Sequence, residues 1–243
     1  MNPWLIGVPA AAGAAVAIAC YGGVHPRSQL FGATVCRAGP GQLAITFDDG
    51  PNPAVTPKLL DLLERYGAKA TFFVIGRFVR ACPGLTKELT ARSHLVGNHT
   101  ESHPNLFWLG REAVREELRR CQLALEDTIA APARYFRPPY GSRNPWVVPT
   151  ARELGMQTVM WTLIPGDWRA KSAPWLAERM KPIADRAGRT SAGDVLCLHD
   201  GSHRALGGDR RLTLQALEYW LPRWRDLGLK FVTIGEAAKS SAR

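Results

Sequence analysis

The 243-residue chain is predicted to be an α/β protein built on a parallel sheet, either open or closed into a barrel. Short apolar segments that are typical of strands alternate with longer segments whose apolar residues have helical spacing. A hydrophobic fraction of 46% and a charged fraction of 21% are ordinary for a globular protein. The length suits one large domain or two small ones.

The first predicted strand is the apolar segment LAITF, which ends before Gly50 and Pro51, two residues that interrupt strands. A helix is predicted to begin at Thr56 and Pro57, because threonine caps helix N-termini and proline fits the first turn. Gly67 suits the end of that helix.

The later elements repeat this pattern. Strands are predicted for ATFFVIG, HLVGNH, RYFR, MQTVMWTL, DVLCLH and LKFVTI, and helices for residues 84–92, 111–128, 146–154, 174–186 and 211–226. The helix over 111–128 has the clearest periodicity, with apolar residues at spacings of four, three and four. Together these segments make about seven β–α units.

The N-terminal stretch from Asn2 to His25 has no Asp, Glu, Lys or Arg and is long enough to cross a bilayer core of roughly 30 Å as a helix. A membrane anchor is the first interpretation. The alternatives are a signal peptide, although no basic residue precedes the apolar core, and a helix of a soluble domain. The predicted organisation is an anchor or signal segment over 1–24, a linker over 25–41, a catalytic domain over 42–236 and a tail over 237–243.

Charge and cysteine content exclude some functions. The formal net charge is +10, but the basic residues form no stripe interleaved with aromatic residues, so nucleic-acid binding is not predicted. The five cysteines include no CxxC pair, which argues against a cysteine zinc site. Cys36 and Cys82 are a candidate pair in an oxidising compartment.

The polar residues that call for an explanation cluster at predicted strand ends. In parallel α/β folds, the carboxyl ends of the strands form the edge that carries the active site. The residues at or just beyond those ends are Asp48, Asp49, His99, Arg137, Asp167 and His199.

Two motifs suggest a metal site. In TFDDG, the carboxylates of Asp48 and Asp49 converge only if the strand bends or stops, since adjacent strand residues point to opposite faces. Taken alone, this motif is more typical of a turn. His99 and His103 are spaced to face one metal across a single turn. One carboxylate and two imidazoles would leave open positions for water and substrate.

Three further segments complete the pattern. RPPYG, which begins at Arg137, has two prolines and a glycine that fix the backbone, and such a segment can hold an N–H toward an oxyanion. WTLIPGDW carries Asp167, and LCLHD carries His199. A histidine that ends an apolar strand is often a core residue, but here it shares an edge with the other candidates.

These five segments, in this order, resemble the polysaccharide deacetylases with a NodB homology domain, a carbohydrate esterase family 4 type, over about residues 43–234. The resemblance implies a distorted (β/α) barrel of seven or eight strands. It implies a metal-dependent hydrolase that removes N-acetyl groups from N-acetylhexosamine residues of an envelope polysaccharide: peptidoglycan, a chitin-like polymer or a lipid-linked glycan. TFDDG, HxxxH and RPPYG are specific only in combination.

The resemblance also implies roles for individual residues. Asp49, His99 and His103 would bind a divalent metal, usually zinc, with cobalt or nickel as alternatives. Asp48 would be the general base that takes a proton from the attacking water, and Arg137 would orient Asp48.

On the opposite side of the substrate, the resemblance makes His199 the general acid that protonates the departing amine, with Asp167 orienting and tuning it. The backbone N–H of Tyr140 would stabilise the oxyanion. Trp168 and Leu198 would wall the pocket for the acetyl methyl group.

One position departs from the family pattern: Ile164 stands where many members carry a further Asp, three residues before the Asp-Trp pair. His203 and residues 205–211 form a polar loop near His199, which we interpret as solvated in preference to a substrate contact.

Two other functions stay open, hydrolysis of a non-sugar amide, imide or formamide on the same fold, and a catalytically silent sugar-binding protein. The expected partners are an N-acetylated glycan and a membrane, with no nucleic acid and no obligate protein. Arg27 and Arg37 follow the apolar stretch, so the positive-inside rule favours a cytoplasmic domain. An envelope substrate favours a membrane-anchored, extracytoplasmic domain, which is the expectation we adopt.

Overall fold

The computed structural model describes residues 19–189 and 193–241. The strands are β1 (Thr34–Val35), β2 (Gln42–Gly50), β3 (Ala70–Val74), β4 (Leu95–Asn98), β5 (Tyr135–Phe136), β6 (Gln157–Val159), β7 (Asp194–His199) and β8 (Lys230–Phe231). The helices are α1 (described over 19–24), α2 (Thr56–Arg65), α3 (Gly76–Ala81), α4 (Pro83–Ala91), α5 (Arg111–Ile129), α6 (Val147–Glu153), α7 (Ala173–Arg186), α8 (Arg211–Asp226) and α9 (Ile234–Ser241).

The eight strands pair in parallel in the order β1-β6-β5-β4-β3-β2-β7, and β8 pairs with the start of β2. This sheet curves into a half-barrel. The chain just beyond β6 reaches β7, where Leu163 bridges Leu196 and the N–H of Thr162 donates to the carbonyl of Val195. The predicted α/β fold with a distorted parallel barrel is confirmed.

Strand alternation sorts the apolar side chains into an inner and an outer core. Ala44 of β2, Phe73 of β3 and Val195 of β7 belong to the cluster inside the curved sheet. Their strand neighbours, such as Ile45 and Leu196, pack instead in the cluster that the sheet shares with the helices. Because both faces of the sheet are covered, its strands read as nearly continuous apolar segments.

The helices follow the predicted amphipathic pattern. In α5, Val114, Leu118, Cys121 and Leu125 are buried, at the spacings that the sequence indicated. In α2, Thr56 is the first helical residue and does not cap the helix, since the N-cap position is Val55 and makes no side-chain cap hydrogen bond.

The segment predicted as a linker, 25–41, contains β1, which pairs with β6 through Thr34 and Val35. Arg143 fastens this segment to the barrel, because its guanidinium donates to the carbonyls of His25 (2.6 Å) and Ser28 (3.1 Å). Composition alone could not indicate this anchoring, since the arginine lies more than a hundred residues away.

At the chain ends, α9 runs into the predicted tail 237–243 and reaches Ser241. None of the helices in the described ranges is long and apolar enough to cross a membrane. The predicted anchor falls mostly on residues 1–18, which lie outside those ranges. The cysteines that the structure describes are free, so Cys36 and Cys82 are not joined.

Candidate active site

The carboxylates of Asp48 and Asp49, which are adjacent on strand β2, face one cavity because the regular strand geometry is interrupted at this point. The register with β3 shifts between Asp48 and Gly50, and Asp49 has a φ of 71°, in the left-handed region. Both aspartates therefore line the same cavity. This is the condition under which the TFDDG motif can carry chemistry.

Asp49, His99 and His103 form a buried cluster of metal-ligand type. Their nearest ligand atoms all lie within 4.8 Å of one another. His103 Nε2 is 3.1 Å from Asp49 Oδ1, and His99 Nε2 is 3.6 Å from the same oxygen. Burial lowers the pKa of His103 to about 4 despite the neighbouring Asp49, which leaves the imidazole neutral, the form that binds metals.

The ionised state of Asp49 also suits a cation. Burial alone would raise its pKa, but the imidazoles of His103, His203 and His99 close to the carboxylate outweigh burial and hold the pKa well below the usual value. A buried carboxylate that stays ionised needs a compensating charge close by.

The two histidines reach the site from an irregular loop after β4 and not across a turn of helix. Thr100 and His103 have φ values of 68° and 65°. The Asn98 side chain accepts the N–H of Thr100 at 2.8 Å, and the Thr100 hydroxyl oxygen accepts the N–H of His103 at 3.0 Å. These side-chain bonds stabilise a left-handed backbone that non-glycine residues seldom adopt.

The tautomer of His99 is fixed by its surroundings. Its Nδ1 lies 2.7 Å from the carbonyl oxygen of Arg137, and a carbonyl can only accept, so Nδ1 carries the proton. Nε2 is then the nitrogen that faces the site. Metal-binding histidines commonly have this type of second hydrogen bond.

Arg137 lies fully buried beneath the cavity and positions Asp48. Its Nη1 donates to Asp48 Oδ1 at 2.8 Å and to the Thr46 hydroxyl at 2.6 Å, and its Nη2 donates to the Met160 carbonyl. The guanidinium also stacks over Phe73, with 4.3 Å from its carbon to the ring centre. Asp48 is therefore held as an oriented carboxylate with a paired charge.

His199, at the end of β7, is aligned with Asp48 across the β2–β7 pair. Asp167 holds His199 at two points, since its Oδ1 lies 2.8 Å from Nδ1 and its Oδ2 accepts the backbone N–H at 2.8 Å. The Thr213 hydroxyl donates to the same carboxylate at 3.0 Å. Burial opposes protonation of His199, but Asp167 outweighs it and, with Asp49 and Asp48, raises the pKa to about 9.

A cavity of about 450 Å³ unites these groups. Of the predicted residues, Asp48, Asp49, His99, His103, Tyr140, Trp168 and His199 line it, together with Trp161, Ile164, Cys197 and His203. The Trp168 ring meets the His199 ring edge-on, with centres 5.0 Å apart. Tyr140 stands in a 3-10 turn over Pro139–Gly141 with a φ of 58°, and a Cβ on Gly141 would come within 2.5 Å of Trp161, so only glycine allows this close approach.

Leu198 is not where the resemblance put it. It is fully buried in the outer core against the helices, because it alternates with His199 along β7 and so points to the opposite face. Cys197 is the β7 residue beside His199 that lines the cavity, and its thiol donates to Asp48 Oδ2 at 3.4 Å.

Cys197, Thr46, Thr213 and His203 are the site residues that sequence reasoning missed or set aside. Alternation along β2 and β7 would have placed Thr46 and Cys197 on the inner face. No local sequence pattern marks Thr213 or His203 as a site residue. Each joins the site through a hydrogen bond to a residue far away in the chain, Thr213 to Asp167 (46 residues) and His203 to Asp49 (154 residues).

The polysaccharide deacetylase family model matches residues 37–159, about half of the chain. A peptidoglycan-N-acetylglucosamine deacetylase of Bacillus cereus is 37% identical over 195 residues, which cover 80% of this chain and 86% of that one. A chitooligosaccharide deacetylase of Azorhizobium caulinodans is 36% identical over 185 residues, 73% and 85% of the two chains.

Among solved structures, a mutant of the Bacillus anthracis protein BA3943, described as a CE4 family pseudoenzyme with restored activity, is similar with a TM-score of 0.74. The two are 27% identical, and the match covers 86% of this chain and 72% of that one. The fold therefore occurs in proteins with and without activity. Whether a chain with this fold is an enzyme has to be judged from the residues at its site.

Proposed function

Since the chain belongs to the polysaccharide deacetylase family, we propose that it is a divalent-metal-dependent hydrolase that removes N-acetyl groups from N-acetylglucosamine residues of a glycan. The observation that carries the proposal is the convergence of Asp49, His99 and His103 with a paired carboxylate and a paired histidine at one cavity. This set supplies a base, an acid and a cation site within one space.

The donor set fits a divalent metal. Asp49 Oδ1 is buried and accepts no hydrogen bond from any described residue, although two imidazole nitrogens lie close to it. One carboxylate and two neutral imidazoles are ligands of zinc, which we propose as the metal, with cobalt and nickel as substitutes. A metal held there would lower the pKa of a water and polarise the acetamide carbonyl.

Asp48 is the proposed general base. Because Arg137 holds one of its oxygens, the carboxylate has a fixed direction, while the other oxygen faces the cavity beside the Cys197 thiol. Asp48 takes the proton of the water that attacks the acetamide carbon.

His199 is the proposed general acid. The carboxylate of Asp167 holds the proton on Nδ1 and favours the imidazolium, so that Nε2–H is available to the departing amine. The carbon–nitrogen bond then breaks, acetate leaves and the glucosamine nitrogen keeps the proton. The N–H of Tyr140, in the rigid turn at the rim, is the proposed donor to the oxyanion.

The substrate class follows from the relatives together with the cavity. Trp161, Trp168 and Ile164 give the cavity an apolar wall suited to an acetyl methyl group. We propose peptidoglycan first and chitooligosaccharides second, in keeping with the activities named for the relatives.

The test is acetate release from peptidoglycan and from N-acetylglucosamine oligomers, with and without a chelator. We expect release that the chelator abolishes and zinc restores. Asp48→Asn should lower the rate by roughly 10²–10⁴-fold and still bind zinc, since it removes the base and leaves the ligands. A rate that the chelator does not change would exclude the metal mechanism. No release from any acetylated glycan would favour a silent sugar-binding protein.

We also propose that the full chain is held at a membrane with the catalytic domain outside the cytoplasm. The uncharged stretch from Asn2 to His25 and the glycan substrate support this location. Carbonate extraction of membranes and protease treatment of spheroplasts test it. Release of the chain by carbonate, or protection from the external protease, would contradict it.

A further inference from the structure

The loop that follows β7, residues 200–210, is fastened against the candidate metal cluster. Asn52 joins its two ends, because the side-chain amide donates to the carbonyls of Asp200 and Gly208, each at 2.8 Å. The Arg77 guanidinium donates to the carbonyl of His203. A Cβ on Gly201 would lie 2.1 Å from the carbonyl oxygen of Asp49, so glycine permits this close approach.

At its tip, the loop places His203 on the cluster itself. The backbone N–H of His203 donates to Asp49 Oδ2 at 3.2 Å. The imidazole lies flat on the ring of His103, with centres 4.3 Å apart and planes 8° apart. Its Nε2 is 3.3 Å from the hydroxyl of Tyr140, which connects the loop to the opposite rim of the cavity.

The two histidines of the cluster differ in how they are held. His99 is oriented by a hydrogen bond from Nδ1 to the Arg137 carbonyl. His103 Nδ1 is buried and has no hydrogen-bond partner among the described residues. The ring of His103 is therefore fixed by packing, with the ring of His203 stacked on its face and the ring of Tyr140 in an edge-to-face contact at 4.7 Å between centres.

A histidine ligand normally gains its orientation from an outer hydrogen bond. Where that bond is missing, an aromatic ring stacked on the ligand restricts the same rotation. We propose that His203 is a positioning residue of the metal cluster, whose ring holds His103 in its ligating orientation and so raises the affinity for the metal. This inference rests on the proposed function, in which Asp49, His99 and His103 bind that metal.

The test compares zinc affinities of the wild-type chain and four variants, measured by competition with a chromophoric chelator. His203→Ala and His203→Gln remove the ring, His203→Phe keeps a ring without nitrogens, and Leu206→Ala alters an exposed residue of the same loop. Loss of an outer-shell partner typically weakens metal binding about 10–100-fold. We expect that loss in His203→Ala and His203→Gln, and affinities within about threefold of wild type in His203→Phe and Leu206→Ala.

Two further measurements separate positioning from general structural damage. The metal-free variants should unfold at the same denaturant midpoint as wild type. The visible spectrum of the cobalt-loaded protein should be the same in His203→Phe, since His203 is not one of the three proposed ligands. If wild type binds zinc and His203→Ala binds it equally well, the inference is wrong and the proposed function stands. If His203→Phe binds as weakly as His203→Ala, the nitrogens act and not the ring, which also overturns it. A wild-type chain that binds no zinc overturns the metal mechanism itself.

Discussion

Replacing Asp167 by Asn removes the charge that favours the imidazolium of His199 while nearly preserving shape. In the wild-type chain the pKa of His199 is about 9, since the carboxylate of Asp167 overcomes the opposing effect of burial. Without that carboxylate, only the smaller effects of Asp49 and Asp48 oppose burial, and we expect the pKa to fall to about 6.5. A fall of the pKa from about 9 to about 6.5 corresponds to about 3 kcal/mol between the two protonation states.

The kinetic consequence is largest above neutral pH. In the metal-free protein at pH 8, about nine tenths of His199 is protonated in the wild-type chain and roughly 3% in Asp167→Asn. This loss of up to about 30-fold in the protonated acid should lower the rate of the variant in the same direction. The stability contribution of His199 is fully present below about pH 6.5 and is lost as the pH rises through about 9, because the folded chain holds the proton more tightly. The variant should show a flatter dependence of unfolding free energy on pH.

Histidine C–H resonances, followed by NMR over pH in the metal-free protein, measure the pKa directly without the charge of a cation. Thr213→Val is the matched control, because it removes only the hydroxyl that donates to Asp167 and leaves the carboxylate in place. A His199 pKa that stays near 9 in Asp167→Asn would refute the assignment of Asp167 as the cause.

Three further substitutions test the packing of Leu198, the loop at Gly201 and the buried His94. Leu198→Ala should lower the free energy of unfolding by about 2–5 kcal/mol in denaturant titrations and leave KM for the glycan unchanged, since the side chain is in the outer core. A raised KM with unchanged stability would instead show that Leu198 contacts the substrate. Gly201→Ala should weaken zinc binding in the chelator competition, because its Cβ would collide with the carbonyl oxygen of Asp49; equal affinity would show that the loop moves freely. Burial, with Lys69 and Arg92 adding to it, lowers the pKa of His94 to about 4. The free energy of unfolding of the wild-type chain should therefore fall by about 2 kcal/mol between pH 6.5 and 4, and thermal melts should show a smaller fall in His94→Gln.

The chain order of short motifs was sufficient to predict the fold class and seven of the residues that line the cavity. Asp48, Asp49, His99 and His199 lie at strand ends, and parallel strands bring such ends to one edge whatever their separation in sequence. The prediction that Leu198 walls the pocket could have been corrected from the sequence, because alternation along the strand DVLCLH assigns Leu198 and His199 to opposite faces.

Other features depend on contacts that no local pattern encodes. The strand inside the predicted linker forms because Val35 finds an edge at β6, and the buried Arg143 secures the turn that precedes it. The sequence predicts that His203 lies in a solvated loop, since polar loops usually run over the protein surface. The close approach that Gly201 permits, together with the hydrogen bonds from Asn52 and Arg77, brings His203 against Asp49.

The charges of the cavity explain why a cation is expected at Asp49 and not at its neighbour. Asp48 is ion-paired with the buried Arg137, and Asp167 with the imidazole of His199, which its own charge helps to protonate. The ion-pair partners of Asp49 among the described residues are histidines, and the nearest of them, His103, is neutral at neutral pH. One buried negative charge is thus left without a full positive partner, and a divalent ion bound where the three ligand atoms converge would supply that partner. The same reasoning makes metal affinity sensitive to whatever fixes His103, which in this chain is a stacked ring from a distant loop.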